Sequence, residues 1–308
     1  MKNCFLYPGQ GSQYTGMGKD IWEKSQKVKD LFTMASDIVG KDMAELIFEA
    51  PEDVLKRTDN TQPAITLVNA SVKTILGENG IFSDGCAGVS LGEYAALEDA
   101  GIISLEELFA LVKVRGELMQ AAGDKFGSGD DAPGMAAVIG LTSEKIDELF
   151  GDGAMGVYPA NYNAPTQIVL AGTADGLAKA ESLCKENGAR RYIKLKVSAP
   201  FHSPFLEEAR VGFAEELKKY NFKDPNKKVY SNVTGKLITT GQEAMENALA
   251  QVIKPVRWTE EEASIQGDDY ERIIETGPGK VLTGLWKSVA KELPCLTCGT
   301  LEQVEGLL

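Results

Sequence analysis

Short apolar runs alternate with segments of helical periodicity along this 308-residue chain. Residues 3–7 form an apolar run that ends at Pro8-Gly9, and residues 84–89 form a second one. Runs of this kind, followed by turn residues, typically indicate buried strands. Helical spacing covers residues 20–38, 45–55, 64–76, 92–100 and 105–121. Strands that alternate with helices favour an α/β fold with a mostly parallel sheet.

A change of composition at residues 123–134, which are rich in glycine and aspartate, predicts a linker. After it, strands at 135–140, 157–162, 168–171 and 190–197 and helices at 143–150 and 174–187 follow in the order β-α-β-β-α-β, typical of a ferredoxin-like unit. Helices at 204–220 and 240–251, a strand at 272–275 and a helix after Gly279 complete the pattern. We therefore expect a large α/β domain over 1–132 and 198–308, with a small ferredoxin-like domain inserted at 133–197.

The composition excludes several classes of function. The net charge of −13 and the pI near 4.8 make a long nucleic-acid backbone an unsuitable partner, and an acidic protein partner would need a local basic patch. No apolar run approaches the roughly 18 residues that a membrane span needs, and the first nine residues are too short for a signal peptide, so we expect a cytoplasmic protein. Five scattered cysteines fit a reducing compartment. Cys295 and Cys298 have metal-like spacing, but without a second pair we expect no metal.

The motif Gly88-Val89-Ser90-Leu91-Gly92, followed by a helix-forming run, is the strongest candidate for chemistry. Gly-x-Ser-x-Gly places a serine on a sharp strand-to-helix turn with its hydroxyl exposed. Free amide hydrogens at the start of that helix would face an oxyanion formed at the serine. Ser90 is therefore the candidate nucleophile. The alternative is a glycine-bounded turn that contains an incidental serine.

A serine hydroxyl needs a base to take its proton, and histidine suits that task at neutral pH. The sequence contains one histidine, His202, which lies between Pro200 and Pro204 in a stretch typical of a loop. If an imidazole activates Ser90, it is this one. The alternative is a surface or core histidine without a catalytic role.

Arg115 lies on the helix face that also carries Leu111 and Leu118, so we expect its guanidinium to point inward. A buried arginine needs an anion, and its planar fork suits a carboxylate. No partner carboxylate is evident in the neighbouring sequence, so a substrate could supply one. Packing of this side chain at the surface is the alternative.

Taken together, these residues resemble a known family, the malonyl-CoA:acyl carrier protein transacylases, which includes the acyltransferase domains of polyketide synthases. The resemblance covers essentially the whole chain. It rests on eight motifs in order: Pro8-Gly9-Gln10-Gly11-Ser12-Gln13, Thr61-Gln62-Pro63-Ala64, Gly88-Val89-Ser90-Leu91-Gly92-Glu93-Tyr94, Arg115-Gly116 with Met119-Gln120, Tyr162-Asn163-Ala164-Pro165, Phe201-His202-Ser203, Pro255-Val256-Arg257-Trp258 and Glu275-Thr276-Gly277-Pro278-Gly279-Lys280-Val281-Leu282.

The resemblance implies an α/β-hydrolase-like large domain with a ferredoxin-like small one and a site in the groove between them. It implies that Ser90 attacks a thioester, that His202 is the base and that Arg115 binds the malonyl carboxylate. The backbone amides of Gln10 and Leu91 would form the oxyanion hole. The implied partners are malonyl-CoA, CoA and an acyl carrier protein, with no cofactor or metal, and we expect a monomer.

Further site residues also follow from the resemblance. The histidine of this family is oriented by a main-chain carbonyl, here that of Gln251. Gln62 and Asn163 match positions that line the site. Phe201 resembles the bulky residue that malonyl-selective domains carry before the base, so we expect malonyl to be preferred over α-branched analogues. Val89 departs from the histidine that most members have there, and we expect apolar packing, directed away from the reacting bond, to replace that histidine's hydrogen bonds.

Because acyl carrier proteins are acidic, we expect a basic docking patch near the groove, drawn from Lys185, Arg190, Arg191, Lys194, Lys280 and Lys287. Two other functions stay open. A serine esterase or thioesterase could use the same turn with Asp175 or another acid before His202, but Arg115 has no role in that reaction. The other is a non-enzymatic protein that binds carrier proteins and whose own site is inactive.

Overall fold

Two sheets, one parallel and one antiparallel, organise the fold. The structure is a computed structural model and describes residues 1–127, 129, 131–290 and 292–308. In those residues the strands are β1 (Asn3–Tyr7), β2 (Gly85–Gly88), β3 (Gly134–Ile139), β4 (Val157–Ala164), β5 (Gln167–Gly172), β6 (Arg191–Leu195), β7 (Lys228–Val229), β8 (Arg272–Thr276) and β9 (Cys295–Cys298). The helices are α1 (Lys19–Lys24), α2 (Gln26–Val39), α3 (Met43–Phe48), α4 (Glu52–Leu55), α5 (Thr58–Glu78), α6 (Leu91–Asp99), α7 (Leu105–Lys125), α8 (Ser143–Phe150), α9 (Ala174–Glu186), α10 (Glu207–Leu217), α11 (Gly241–Ala250), α12 (Trp258–Gln266), α13 (Val281–Val289) and α14 (Leu301–Glu305).

The larger sheet has the strand order β7-β2-β1-β8-β9, and its strands pair in parallel. Successive side chains of a strand point to opposite faces. Accordingly, Phe5 and Tyr7 of β1 enter one hydrophobic cluster, and Cys4 and Leu6 enter another. The sheet therefore separates two cores. Because parallel strands end at the same edge, the segments after β1, β2 and β8 meet there, which is where α/β proteins place their sites.

The smaller sheet has the order β4-β5-β3-β6 and is antiparallel. Helices α8 and α9 pack on it through a separate cluster that includes Ile146, Phe150 and Leu177. The predicted α/β fold with a parallel sheet and the predicted β-α-β-β-α-β order are both confirmed. Helix α7 continues to Lys125, three residues into the predicted linker. Residues 128 and 130 of that linker lie outside the described residues.

The helix predicted over residues 64–76 begins six residues earlier, because α5 starts at Thr58 and contains Pro63. A proline inside a helix lacks the amide hydrogen that would bond to the carbonyl four residues earlier. Here that carbonyl belongs to Asp59, and the ammonium of Lys41 donates to it at 3.3 Å. The lysine replaces the missing bond, which is why Pro63 does not end the helix.

Other differences concern short elements. The helix predicted over residues 20–38 is two helices, because Ser25 has an extended backbone (φ −110°) and its hydroxyl accepts from the amide of Val28 as an N-cap. The segment predicted over 45–55 is also broken, into α3 and α4, with Pro51 before the second. Strands β7 and β9 and helices α12 and α14 were missed, since elements of two to nine residues give little periodicity.

Cys295 and Cys298 lie in β9 as buried free thiols. Among the described residues, no cluster of three histidine, cysteine or carboxylate side chains has the arrangement of a metal site. Within the same residues, none of the helices combines the length and the apolar character that crossing a membrane requires.

Candidate active site

Ser90 lies on a strained turn between β2 and α6. Its φ of 53° and ψ of −106° fall in a region that residues with a side chain rarely adopt. A Cβ at Gly92 would lie 2.0 Å from the carbonyl oxygen of Tyr7, and one at Gly88 would lie 2.1 Å from the backbone of Gly92. Only glycine fits at both positions, so the two glycines let β1 and α6 approach closely enough to form the turn.

His202 stands beside this serine. Its Nε2 is 2.7 Å from Ser90 Oγ, and its Nδ1 is 2.8 Å from the backbone carbonyl oxygen of Gln251. A carbonyl can only accept, so Nδ1 carries the hydrogen and Nε2 is left to accept the hydrogen of Ser90 Oγ. The partner of Nδ1 is therefore a main-chain carbonyl and not an acid. Asp175 lies in the first turn of α9, which packs on the small sheet.

The surroundings of His202 keep its ring neutral. Its side chain is buried, and burial lowers the pKa to about 4, with the positive charge of Arg115 acting in the same direction. The hydrogen bond to the carbonyl of Gln251 opposes this shift. A neutral imidazole at pH 7 can accept a proton. His202 also has a positive φ of 56°, one of three such non-glycine residues in the described chain.

Arg115, from α7, is 1% exposed and reaches the same hydroxyl. Its Nη2 is 3.3 Å from Ser90 Oγ and 2.9 Å from Oε1 of Gln251, and its guanidinium carbon lies 5.1 Å from the ring centre of Tyr94. These partners are neutral, and Nε has no hydrogen-bond partner within the described residues. A buried cation with unused donors beside a serine hydroxyl is suited to bind an anionic group.

Two backbone amides beside Ser90 are free of backbone hydrogen bonds within the described residues. They belong to Gln10, after β1, and Leu91, the first residue of α6, which both line the cavity at Ser90. The amide of Ser90 itself donates to Oδ1 of Asn232 at 2.6 Å, so it is already used.

The cavity has a volume of about 330 Å³ and lies between the two sheets. Met135, Asn163 and Leu195 line it from the small sheet, and Phe201 lines it together with His202. Gln62 is buried on α5 and does not itself line the cavity. Its Nε2 lies 3.4 Å from Sδ of Met119, which does line it.

Val89 is half-buried and packs against the cluster that contains Leu6, Ala87 and Trp258. This agrees with the expected apolar packing. Val89 is also among the residues that line the cavity. Its backbone carbonyl accepts from the amide of Gly92 at 2.9 Å.

Sequence reasoning missed a buried polar network beneath Ser90. The side chain of Asn232 donates to the carbonyl of Gly88 at 2.7 Å and to Glu261 at 2.8 Å. Glu93 is 1% exposed, and burial raises its pKa to about 7, although hydrogen bonds from Asn232 and Gln251 and the charge of Arg115 lower it. Glu93 lies in the family motif that contains Ser90, and this was the only sequence signal for it. Asn232 and Glu261 lie in none of the family motifs.

Comparison with known proteins places this arrangement in context. Residues 4–302 match the family model of the acyl transferase domain. The chain is 39% identical to a malonyl CoA-acyl carrier protein transacylase of Bacillus subtilis, over 99% of this chain and 95% of that protein. An acyl carrier protein S-malonyltransferase of Vibrio cholerae has a similar structure, with a TM-score of 0.93, 36% identity and full coverage of both chains. A malonyl-transacylase solved in complex with a type II polyketide synthase acyl-carrier protein matches with a TM-score of 0.93 and 34% identity, over 100% of this chain and 99% of that one.

Proposed function

The chain belongs to the acyl transferase family, and from this membership and the geometry at Ser90 we propose that it moves a malonyl group from malonyl-CoA to the phosphopantetheine thiol of an acyl carrier protein. The observation that carries the proposal is the meeting of three groups at one oxygen. Ser90 Oγ lies 2.7 Å from the imidazole of His202 and 3.3 Å from the guanidinium of Arg115.

In the first half-reaction, Ser90 Oγ attacks the thioester carbonyl carbon while Nε2 of His202 takes the hydroxyl proton. The oxygen of the tetrahedral intermediate receives hydrogen bonds from the amides of Gln10 and Leu91. Donors already in place for such an oxyanion typically contribute about 3 kcal/mol or more to lowering the barrier. The carbon–sulfur bond then breaks, and the proton on His202 passes to the sulfur of CoA.

The second half-reaction reverses these roles. The phosphopantetheine thiol gives its proton to His202 and attacks the malonyl ester, and Ser90 Oγ leaves with that proton. This is covalent catalysis in two steps, with the same base serving both thiols. Gln251 supports both steps, since its carbonyl fixes the imidazole.

Arg115 favours an acyl group that carries a free carboxylate. Among the residues that the structure describes, its buried guanidinium contacts no charged partner, so the free carboxylate of malonyl would supply one. A thioesterase or esterase with an acid behind the histidine lacks support here, because the carbonyl of Gln251 occupies that position. Phe201 and Asn163 line the cavity that would hold the malonyl group, and the ring of Phe201 would restrict the space for α-branched analogues.

The test is to incubate the protein with malonyl-CoA and follow its intact mass. We expect an adduct of one malonyl group that is absent from Ser90→Ala and persists until a carrier protein bearing phosphopantetheine is added. Immediate release of free malonate would instead support hydrolysis. Activity that Ser90→Ala leaves unchanged would support a carrier-binding component with an inactive site.

We further propose that the carrier docks on basic residues near the cavity. Arg190, Arg191 and Lys194 are exposed on or beside β6, which is an edge strand that leads to the cavity residue Leu195. Lys280 is exposed next to Val281, another cavity residue.

Lys287 is exposed on α13. Lys185 contributes less, because it pairs with Glu181. Reversal of charge at Lys194 and Lys280 should raise the KM for the carrier without changing that for malonyl-CoA. Lys218→Glu, directly after α10, should leave both KM values unchanged. Equal KM values for all variants would place docking elsewhere.

Three organisational features are proposed with this function. Residues 133–197 form an inserted domain with its own core, and 1–132 with 198–308 form the other; the separate cluster of the small sheet supports this division. The protein acts in the cytoplasm, where its five cysteines stay free thiols. It acts as a monomer, since one chain supplies Ser90, His202 and Arg115.

A further inference from the structure

Glu93 is a buried carboxylate that touches the site only through other residues. It lies in the first turn of α6, and both of its oxygens are used. Oε1 accepts from the backbone amide of Asn232 at 3.0 Å, and Oε2 accepts from the side-chain amide of Gln251. None of these contacts belongs to the reaction described above.

The side chain of Gln251 joins this carboxylate to Arg115. Its Oε1 accepts from Nη2 of Arg115 at 2.9 Å, and its Nε2 donates to Glu93 and to the carbonyl of Ser90 at 3.0 Å. A guanidinium can only donate, and an ionised carboxylate can only accept. Therefore one of the two orientations of the Gln251 amide satisfies both neighbours, and the reversed orientation satisfies neither.

We propose that Glu93 is a positioning residue that, through the side-chain amide of Gln251, holds the guanidinium of Arg115 where the carboxylate of the acyl group binds. This inference rests on the proposed function. The link to His202 does not need Glu93, because the backbone amide of Gln251 bonds to the carbonyl of Asn247 at 2.8 Å and so holds the backbone in place. Glu93 thus controls the selection of the acyl group more than the activation of Ser90.

Glu93→Gln tests this role with little change in shape. The carboxylate accepts from two donors, whereas a glutamine side chain has one accepting oxygen, so one of the two contacts becomes a contact between donors. The readout is the ratio of kcat/KM for malonyl-CoA to that for acetyl-CoA, measured at pH 8 as acylation of Ser90 by intact mass. Acetyl has no carboxylate for Arg115 and reports the Ser90 and His202 chemistry alone.

We expect Glu93→Gln to lower this ratio about 10- to 100-fold, the scale on which small misplacements act, while acetylation changes less than about threefold. Glu262→Gln is the matched control. Glu262 is equally buried, on α12, but its carboxylate accepts from the indole of Trp258 and is outside the network. It should leave the ratio unchanged. A ratio within twofold of the unmodified protein in Glu93→Gln, or an equal loss in Glu262→Gln, would overturn the inference.

Gln251→Met supplies a second test, which also applies if Glu93→Gln fails to fold. Methionine keeps the backbone carbonyl that orients His202 but removes the amide. It should lower the malonyl-to-acetyl ratio by the same factor as Glu93→Gln, and the double variant should show no further loss, because the two residues act in series. An unchanged ratio in Gln251→Met, or additive losses, would contradict the inference. If the unmodified protein forms no malonyl adduct, the proposed function fails; if it does and the variants keep its ratio, only this inference fails.

Discussion

Replacement of Arg115 by alanine is the most informative single change. The guanidinium is 1% exposed and contacts Ser90 and Gln251, so a malonyl carboxylate that meets it would form a buried charge pair. Loss of one partner of such a pair typically costs about 2–5 kcal/mol. At roughly 1.4 kcal/mol for each factor of ten, kcat/KM for malonyl-CoA should fall about 30- to 4,000-fold. The near-complete burial places the expected loss in the upper part of that range.

The assay compares malonyl-CoA with acetyl-CoA in the same preparation. Alanine also leaves a cavity and removes the donor to Oε1 of Gln251, and these structural effects would reduce both reactions and lower the melting temperature. Loss of the carboxylate site alone reduces only the malonyl reaction, so acetyl should become relatively better accepted. Arg115→Lys should lie between the two, because it keeps the charge but lacks the planar fork.

Retention of the malonyl preference by Arg115→Ala would refute the assignment of this arginine to the substrate carboxylate. A parallel loss of both activities together with a large fall in melting temperature would show that Arg115 serves the stability of the site. In either case, the selectivity for malonyl would have to come from another group.

Three further changes test the stability and the electrostatics. Because burial lowers the pKa of His202 to about 4, acylation by acetyl-CoA, which needs neither Arg115 nor Glu93, should stay constant from pH 8 to pH 5 and fall near pH 4; a midpoint near 6.5 would indicate an exposed imidazole. Burial raises the pKa of Glu262 to about 8. Between pH 4.5 and 8 this carboxyl group is therefore protonated in the folded protein and ionised in the unfolded chain, so the free energy of unfolding falls as the pH rises through this range. Glutamine does not ionise, so the free energy of unfolding of Glu262→Gln, measured with urea, should gain about 2–3 kcal/mol on that of the unmodified protein as the pH rises from 6 to 8. Equal pH dependence of the two proteins would contradict this. Gly92→Ala, whose Cβ would lie 2.0 Å from the carbonyl of Tyr7, should lose about 3 kcal/mol or more, whereas Gly284→Ala, with no atom within 4 Å, should not be destabilised.

The local sequence was sufficient to identify the main groups of the candidate site. Glycines at 88 and 92 leave room for a close approach that any side chain would block, so the turn that presents Ser90 could be predicted from spacing alone. The single histidine left one candidate for an imidazole base. The helical position of Arg115 beside apolar neighbours predicted its burial, and the structure buries it.

The supporting residues could not be found in this way, because their roles depend on contacts between distant segments. Asn232 bonds to the amide of Ser90 across 142 positions of sequence, and nothing in its own surroundings indicates this. Likewise, the sequence indicated a helix that begins after Pro63, because the contact of Lys41 that replaces the hydrogen bond missing at the proline joins distant segments. Gln251 was identified through the family resemblance and not from its own pattern.

A crystal structure of the protein after reaction with malonyl-CoA would test the central claim most directly. It should show a malonyl ester on Oγ of Ser90, with the free carboxylate within hydrogen-bond distance of Arg115 and the ester carbonyl directed at the amides of Gln10 and Leu91. A malonyl group attached to another residue, or a carboxylate that points away from Arg115, would contradict the claim that one cavity joins nucleophile, base and carboxylate site.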